Sequence, residues 1–214
     1  MTAPVLPLDD VTGIVLAGGR ASRFGDKLSA ELDGRPLLHR ALEAVAVVAG
    51  RLIVVAAPDR DPALPGDLVG RIRTVHDPEP FGGPLVGLVA ALGAVETAVA
   101  IVVGGDMPRL MPAVLQRLAM AAGPARPAVV LEVPGRIQPL PMALDAAAAQ
   151  AAAIAIRARG GRSLRELLRE LDAALIPAPA WLSLDPAGGT ILDIDRPADL
   201  EAYRVRAGFG TRLP

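Results

Sequence analysis

Four short apolar segments in the first half of this 214-residue chain constrain its fold more than any other feature. They cover residues 11–17, 52–56, 72–76 and 98–103, and three of the four contain almost no polar residue. Apolar strands of this length are typical of a parallel sheet that helices cover on both faces. Segments of helical length precede the second and the fourth, so the sequence predicts an α/β fold with a mainly parallel sheet.

The remaining elements follow from local start and stop signals. Asp145 is a predicted N-cap, and Ser163 with Glu166 resembles a capping box. A turn is predicted around Asp33 and Gly34, and a hairpin about Pro134 and Gly135. The predicted helices cover residues 36–49, 84–95, 112–122, 145–158, 163–171 and 197–207, and the later strands cover 128–133, 137–144, 174–176 and 190–194.

Length and composition predict a single domain over residues 1–214, with a core of about 11–207 and flexible ends. The hydrophobic content of 52% is sufficient for a large core, and the absence of cysteine suits a cytoplasmic location. We recognise no secretory signal and no membrane span in the sequence. A net charge of −1 and an aromatic content of 2% argue against a nucleic-acid partner.

A glycine-containing loop with positive charge follows the first strand. Gly18 and Gly19 end the strand, and Arg20, Arg23 and Lys27 follow them. Backbone N–H groups and cations of this kind suit phosphate oxygens. The spacing matches neither a Walker loop nor a dinucleotide-binding loop. From these residues alone, a phosphate site and a basic surface loop both remain open.

The segment LAGGRASRFGDK resembles the signature of the Rossmann-like nucleotidyltransferases. These include the molybdenum cofactor guanylyltransferases and cytidylyltransferases and the sugar-phosphate nucleotidyltransferases. The resemblance implies a three-layer nucleotidyltransferase fold in which this loop binds a nucleoside triphosphate. Arg23 and Lys27 would hold the phosphates and take part in catalysis. The residues near the base would be Leu16, Ala17, Gly18 and Gly19.

Two aspartates are candidate metal ligands. VVGGDMPRL resembles the family motif whose aspartate binds magnesium, which implies a catalytic, nucleotide-binding and metal-binding role for Asp106. ILDIDRPADL resembles the late motif that completes the metal site, which implies a ligand role for Asp195. The implied ion is Mg²⁺, with Mn²⁺ as the alternative. Taken alone, each aspartate would also serve as a helix cap.

The segment HDPEPFGGPLVGL supplies two further candidates for nucleotide binding, Asp77 and Gly83. Asp77 matches an acidic residue near the nucleotide in the molybdenum cofactor enzymes, and Gly83 lies in their G-P-L-x-G segment. The cytidylyltransferases have a serine-containing variant of this segment, and they usually have Ala-Gly where this chain has Gly18–Gly19. Both differences favour GTP as the nucleotide. Asp193 and Asp195 instead resemble the cytidylyltransferases, so CTP remains an alternative.

Several positions depart from the family pattern or have no assigned role. Gln138 stands where the family has a histidine, and Ala57 where it has an asparagine. Arg162 and Arg165 match arginines near the pterin substrate, but ion pairing at the surface would explain them equally well. The roles of Asp193, Gln138, Arg162 and Arg165 are left open.

The resemblance, which extends from residue 13 to about 203, leads to one hypothesis with alternatives. The chain would transfer GMP from Mg-GTP to the phosphate of molybdopterin, giving the guanine dinucleotide cofactor and pyrophosphate. Its partners would be GTP and molybdopterin, with transient contacts to cofactor-synthesis proteins or molybdoenzymes. The alternatives are a molybdopterin cytidylyltransferase, a sugar-phosphate nucleotidyltransferase and a nucleotide-binding module without catalysis.

Overall fold

A seven-stranded sheet forms the centre of the protein in the computed structural model, which describes residues 7–18, 27–79, 82–195, 198–199 and 201. For Lys27, Arg136 and Ile137 it describes the backbone alone. The strand order is β5-β4-β1-β6-β8-β7-β9, and a separate small hairpin pairs β2 with β3. The strands are β1 (Leu8–Leu16), β2 (Glu31–Leu32), β3 (Arg35–Pro36), β4 (Ala49–Ala56), β5 (Ile72–His76), β6 (Val99–Gly104), β7 (Ala128–Val133), β8 (Arg136–Asp145) and β9 (Ala174–Ile176).

The sheet is mainly parallel, as the sequence predicts. Strands β5, β4, β1 and β6 run parallel, and so do β7 and β9. Only β8 runs against its neighbours, β6 and β7. The antiparallel strand follows from the tight turn at Pro134 and Gly135, since a hairpin reverses the chain direction.

Helices cover both faces of the sheet, which confirms the three-layer α/β prediction. One apolar cluster packs α1, α3 and α6 on one face, and a second packs α2, α4 and α5 on the other. Because both faces are covered, residues 13–16 of β1, 52–56 of β4 and 99–104 of β6 are all apolar residues or glycine. The helices are α1 (Leu37–Ala46), α2 (Pro84–Leu92), α3 (Pro112–Ala121), α4 (Ala146–Ala158), α5 (Leu164–Glu170) and α6 (Ala178–Leu182).

The strand order reverses at β1. From β1 the chain moves outward through β4 to β5, and it then returns to place β6 on the other side of β1. The connections on the two sides of β1 therefore diverge and leave a crevice at the carboxyl ends of β1 and β6. In open α/β sheets this switch in strand order is where ligands bind.

Most predicted elements are present, with their caps. Asp145 caps α4 by accepting from the Ala148 N–H at 3.0 Å, and Ser163 and Glu166 form the predicted capping box on α5. The turn at Asp33 and Gly34 is also present, with φ values of 54° and 75°.

The prediction for α1 is wrong at its C-terminal end. The helix ends at Ala46 rather than residue 49, and β4 begins at Ala49 rather than residue 52. Leu8 donates its N–H to the Val48 carbonyl at 2.7 Å, which draws this segment toward β1. The guanidinium of Arg71 donates to the carbonyls of Ala46 and Ala49, so a distant side chain satisfies the end of the helix.

Two further differences lie near the C-terminus. The predicted strand over residues 190–194 is wrong: Gly189–Ile191 is a short 3₁₀ helix, and the following residues form no strand. Thr190 is fully buried and donates its N–H to the Asp185 carboxylate at 2.7 Å, so this N–H is not available to pair with a strand. Helix α6 was not predicted. Of the predicted last helix, residues 198–199 and 201 are helical and the others lie outside the described residues.

No helix among the described residues combines the length and the apolar character that crossing a bilayer requires.

Candidate functional site

The candidate site is built where β1 and β6 end side by side. Leu16 lies beside Gly104 in the parallel register, and the Gly105 N–H donates to the Leu16 carbonyl at 3.0 Å. On the other side, Ala17 donates its N–H to the Val55 carbonyl at 2.8 Å. These hydrogen bonds hold Leu16, Ala17 and Gly18 next to the loop that carries Asp106. All three residues are half-buried.

A tight turn after β6 orients Asp106. The Met107 N–H donates to the Gly104 carbonyl at 3.3 Å, and the carboxylate of Asp106 lies back over Gly104. A Cβ atom on Gly104 would collide with Oδ1 of Asp106. Glycine at this position therefore leaves the space in which the half-buried carboxylate lies.

The segment with the late aspartates contacts the same turn. Ile194 donates its N–H to the Asp106 carbonyl at 3.0 Å, and its fully buried side chain packs with Leu32 and Leu37. Asp193 and Asp195 flank this anchored residue and are exposed. The fold thus brings residues 193–195 to Asp106, although nearly 90 positions separate them in the sequence.

The donor set near Asp106 is composed of carboxylates. Hard cations such as Mg²⁺ prefer such oxygens and commonly take only one or two carboxylates, with phosphates and waters as the other ligands. Across the part of the chain that the structure describes, no group of three or more His, Cys, Asp or Glu side chains is arranged to hold a metal ion. The carboxylates near Asp106 therefore fit a magnesium that is shared with a phosphate ligand.

Asp77 lies at the end of β5, at the same edge of the sheet. Its N–H donates to the Ala56 carbonyl at 2.9 Å, and its Oδ1 accepts from the Glu79 N–H at 3.0 Å. Its Oδ2 lies 3.7 Å from where a Cβ on Gly87 of α2 would be. The same Ala56 carbonyl would lie 3.4 Å from a Cβ on Gly18, so Asp77 and Gly18 lie on either side of Ala56 at the end of β4.

Gly83 forms the entry to α2. Its φ of 92° lies in the region that favours glycine, and an added Cβ would lie 3.0 Å from the Arg162 carbonyl. The Leu85 N–H in the first turn donates to that same carbonyl at 3.4 Å. The start of α2 is therefore packed against the loop between α4 and α5.

Some predicted site residues have no described position or side chain. Gly19 and Arg23 lie outside the described residues. Lys27 begins a short 3₁₀ helix, Lys27–Ser29, and only the backbone of Lys27 itself is described. The structure thus brings Leu16–Gly18, Asp106 and residues 193–195 together, with Asp77 and Gly83 farther along the same edge. The roles of these residues remain predictions.

The residues with open roles have structural partners. Arg162 forms an ion pair with Glu79 at 3.8 Å, in line with the surface interpretation, and the exposed Arg165 donates its backbone N–H to Ser163 Oγ. Gln138 donates to the Ile191 carbonyl at 3.4 Å, which ties β8 to the turn before Asp193. His39 contacts the Ala63 carbonyl, and His76 contacts Asp61.

Two charged residues at the site were missed by sequence reasoning. Arg157 donates to Glu79 at 2.6 Å, and Arg40 donates to the carbonyls of Leu32 and Pro108 at 3.1 and 3.3 Å. Arg40 thereby joins α1 to the β2–β3 hairpin and to the loop after Asp106. Neither arginine belongs to a motif, so no signal in the sequence marks them.

The fold defines a class: a Rossmann-like α/β protein whose strand order switches at β1, which is where open α/β sheets of this kind bind their ligands. The solved structure of molybdopterin-guanine dinucleotide biosynthesis protein A from Archaeoglobus fulgidus has the same fold. Its TM-score is 0.73 at 23% identity, and the match covers 92% of this chain and 99% of that one.

Sequence comparison narrows the class to a family. Residues 13–174 match the model of the MobA-like NTP transferase domain. A protein of Chloroflexus aggregans named "Probable molybdenum cofactor guanylyltransferase" is 33% identical, over 94% of this chain and 96% of that protein. The molybdenum cofactor guanylyltransferase of Xanthomonas euvesicatoria pv. vesicatoria is 36% identical, over 79% of this chain and 84% of that protein. The chain belongs to the MobA-like NTP transferase family and is a nucleotidyltransferase.

Proposed function

We propose that this protein transfers GMP from Mg-GTP to the terminal phosphate of molybdopterin, forming the guanine dinucleotide cofactor and pyrophosphate. Membership of the family and the names of the relatives support this activity. The observation that carries it is the arrangement at the switch in strand order. There, Leu16–Gly18, the Asp106 turn and residues 193–195 are joined by backbone hydrogen bonds.

The nucleotide would lie along the carboxyl edge of the sheet. Its base would lie near residues 16–19, and its triphosphate near Arg23 and Lys27 on the loop that leaves β1. Gly83 and Asp77 lie on the β4–β5 side of that loop and would contribute further contacts. The Asp77 carboxylate has one oxygen engaged by Glu79 and a second that lies toward α2, so it would act as an acceptor.

Asp106 and Asp195 would hold the metal ion, with Mg²⁺ as the expected ion and Mn²⁺ as the alternative. When bound, the ion neutralises phosphate charge and fixes the phosphates in line for displacement. The hydrogen bond between Ile194 and Asp106 supports the pairing, because it places Asp195 next to the Asp106 turn. Loss of either carboxylate would weaken the binding of the ion.

The chemistry needs positioning and charge compensation rather than a covalent intermediate on the protein. An oxygen of the acceptor phosphate forms a bond to the α-phosphorus of GTP, and the bond from that phosphorus to the bridging oxygen of pyrophosphate breaks. Negative charge then increases on the departing pyrophosphate, where Arg23 and Lys27 would offset it. The acceptor would approach from the side of β8, which lies across β1 and β6 from the β4–β5 side.

Molybdopterin and the cellular setting belong to the same proposal. The chain contains no cysteine, so molybdenum would reach the protein held by the pterin rather than by thiolates. Transfer of such a cofactor implies brief contacts with the proteins that make it or receive it. We place the activity in the cytoplasm, which suits a chain without disulfides.

Calorimetric titration with GTP, CTP, ATP and UTP in the presence of Mg²⁺ tests the nucleotide, and pyrophosphate release with molybdopterin tests the reaction. We expect GTP to bind most tightly and pyrophosphate to appear only when both substrates are present. Preference for CTP would assign the protein to the cytidylyltransferases, whose late motif resembles the segment with Asp193 and Asp195. Nucleotide binding without pyrophosphate release would contradict the proposed transfer.

A further inference from the structure

An ion pair joins the Asp77 segment to the end of α4. One Nη of Arg157 donates to Glu79 Oε1 at 2.6 Å, and the other donates to the Gly161 carbonyl at 3.2 Å. The Arg157 side chain is 20% exposed and that of Glu79 is 45% exposed. Arg162 adds a second, longer contact to Glu79 at 3.8 Å. Because one partner is largely buried, the pair is screened less than an ordinary surface ion pair.

Glu79 connects directly to the candidate nucleotide contacts. Its backbone N–H donates to Asp77 Oδ1 at 3.0 Å, and its carbonyl accepts from the Gly82 N–H at 3.0 Å. A fixed position of Glu79 therefore fixes both the orientation of the Asp77 carboxylate and the position of Gly82, which leads into α2. Among the residues that the structure describes, no other hydrogen bond holds the Asp77 carboxylate, so its orientation depends on Glu79.

The same loop contacts α2 from the other side. The Arg162 carbonyl accepts from the Leu85 N–H and lies against Gly83. The Gly161–Arg162 loop is thus attached to both Glu79 and the first turn of α2. Arg157 stabilises this arrangement through Gly161 and Glu79 together.

We propose that Glu79 and Arg157 are positioning residues for the nucleotide, acting through the orientation of Asp77 and the start of α2. The inference rests on the proposed function, because it assigns Asp77 and Gly83 to nucleotide binding. Neither residue belongs to the phosphate loop or the metal-binding motifs. Their effect would be on nucleotide affinity rather than on the chemical step.

The test compares Arg157→Gln with the wild-type protein. We expect the Kd and KM for Mg-GTP to rise about 10-fold, equivalent to about 1.4 kcal/mol, with kcat nearly unchanged. Glu79→Gln should have a similar effect. Arg157→Lys keeps the charge but loses the two-pronged contact, so it should recover part of the affinity.

The Arg159–Glu170 ion pair supplies a matched control. The pair lies at the same end of α4, with an N–O distance of 2.7 Å and side chains that are 55% and 44% exposed. Among the described residues, it has no hydrogen bond or ion pair to a candidate site residue. We expect Arg159→Gln to leave Kd and KM unchanged. Equal losses of affinity in Arg157→Gln and Arg159→Gln would overturn the proposal, since they would indicate a general effect on α4.

A double-mutant cycle with Asp77→Asn distinguishes positioning from overall structure. If Arg157 acts through the Asp77 carboxylate, Arg157→Gln should cost little further affinity once Asp77→Asn is present. Fully additive losses, or no loss in Arg157→Gln alone, would overturn the inference. Titration of the wild-type protein reports separately on the proposed function. If it selects CTP, the base assignment is wrong, and the same cycle is measured with CTP.

Discussion

Asp106 combines an acidic side chain with a backbone that other parts of the chain hold in place. Its carboxylate lies over Gly104, and its carbonyl accepts the Ile194 N–H. The residue is therefore positioned twice, through its own turn and through the late aspartate segment. A carboxylate held in this way is suited to bind a cation with little reorganisation during the reaction.

Substitution Asp106→Ala should remove turnover while leaving the fold intact. Loss of one preorganised electrostatic contact commonly lowers kcat by about 10²–10³-fold, and loss of a metal ligand should reach at least that range. Pyrophosphate release measures the activity, and thermal denaturation measures the fold. Asp67→Ala, at an exposed aspartate in the loop before β5, is the control and should behave as wild type. Turnover close to wild type in Asp106→Ala would contradict the metal assignment.

Gly104→Ala tests the position of the same carboxylate without removing it. The new Cβ would collide with Oδ1 of Asp106, and that flexible side chain would rotate away at small cost in stability. Misplacement by about 1 Å can cost about 10²-fold in rate, so we expect kcat to fall by up to that factor. The control is Gly66→Ala, where an added Cβ has no neighbour within 4 Å. A stable Gly104→Ala protein with full activity would show that the position of Asp106 is not critical.

At the scale of elements, local sequence signals predicted those strands and helix ends that contacts between near neighbours in the chain stabilise. Strands β5, β7 and β9 have the predicted bounds, and the caps of α4 and α5 are present. The predictions are wrong where a partner outside the segment decides. The end of α1 depends on Leu8 and Arg71, and the turn at Thr190 depends on Asp185. No pattern within these segments contains those partners.

The contact between Arg71 and α1 leads to a prediction about stability. Its guanidinium donates to the carbonyls of Ala46, Ala49 and Gly50, which end the helix and begin β4. Hydrogen bonds from charged groups contribute about 1.5–3 kcal/mol, so Arg71→Gln should lower the free energy of unfolding by about that amount. Urea denaturation measures the change. The exposed neighbour Arg73 provides the control variant, Arg73→Gln, which should change stability by less than about 0.5 kcal/mol.

Nucleotide affinity should stay constant in Arg71→Gln, because Arg71 precedes β5 and lies at the amino edge of the sheet, opposite the candidate site. An equal loss of stability in both variants would show that the carbonyl contacts of Arg71 are not responsible.

For the whole molecule, the candidate site depends on segments from both halves of the chain. The crevice uses β1 and β6 from the first half, residues 193–195 from the end, and the loop after α4. A ligand that contacts all of them binds the folded protein and not the unfolded chain. Binding should therefore raise the stability of the whole molecule.

Mg-GTP should raise the midpoint of thermal unfolding in a concentration-dependent manner. At a free concentration of 100 times Kd, the expected stabilisation is about 2.7 kcal/mol. Addition of a chelator should reverse most of this shift, since the phosphates would lose the ion shared with Asp106. In Asp106→Asn the shift should be smaller and nearly insensitive to the chelator. An equal, chelator-insensitive shift in both proteins would place the metal ion elsewhere.

The sequence by itself determined the class of fold, the phosphate-binding loop as a candidate and the two aspartate motifs. The class of fold depends on apolar periodicity, turn residues and caps, which act between near neighbours in the chain. The loop and the two aspartates were identified by their resemblance to the family motifs. Tertiary structure alone decided that β6 returns beside β1, that Ile194 contacts the Asp106 turn, and that Arg157 pairs with Glu79 across 78 residues. Such contacts form because burial and hydrogen bonding across the whole fold offset the entropy of closing long loops, and no local pattern records which partners will meet.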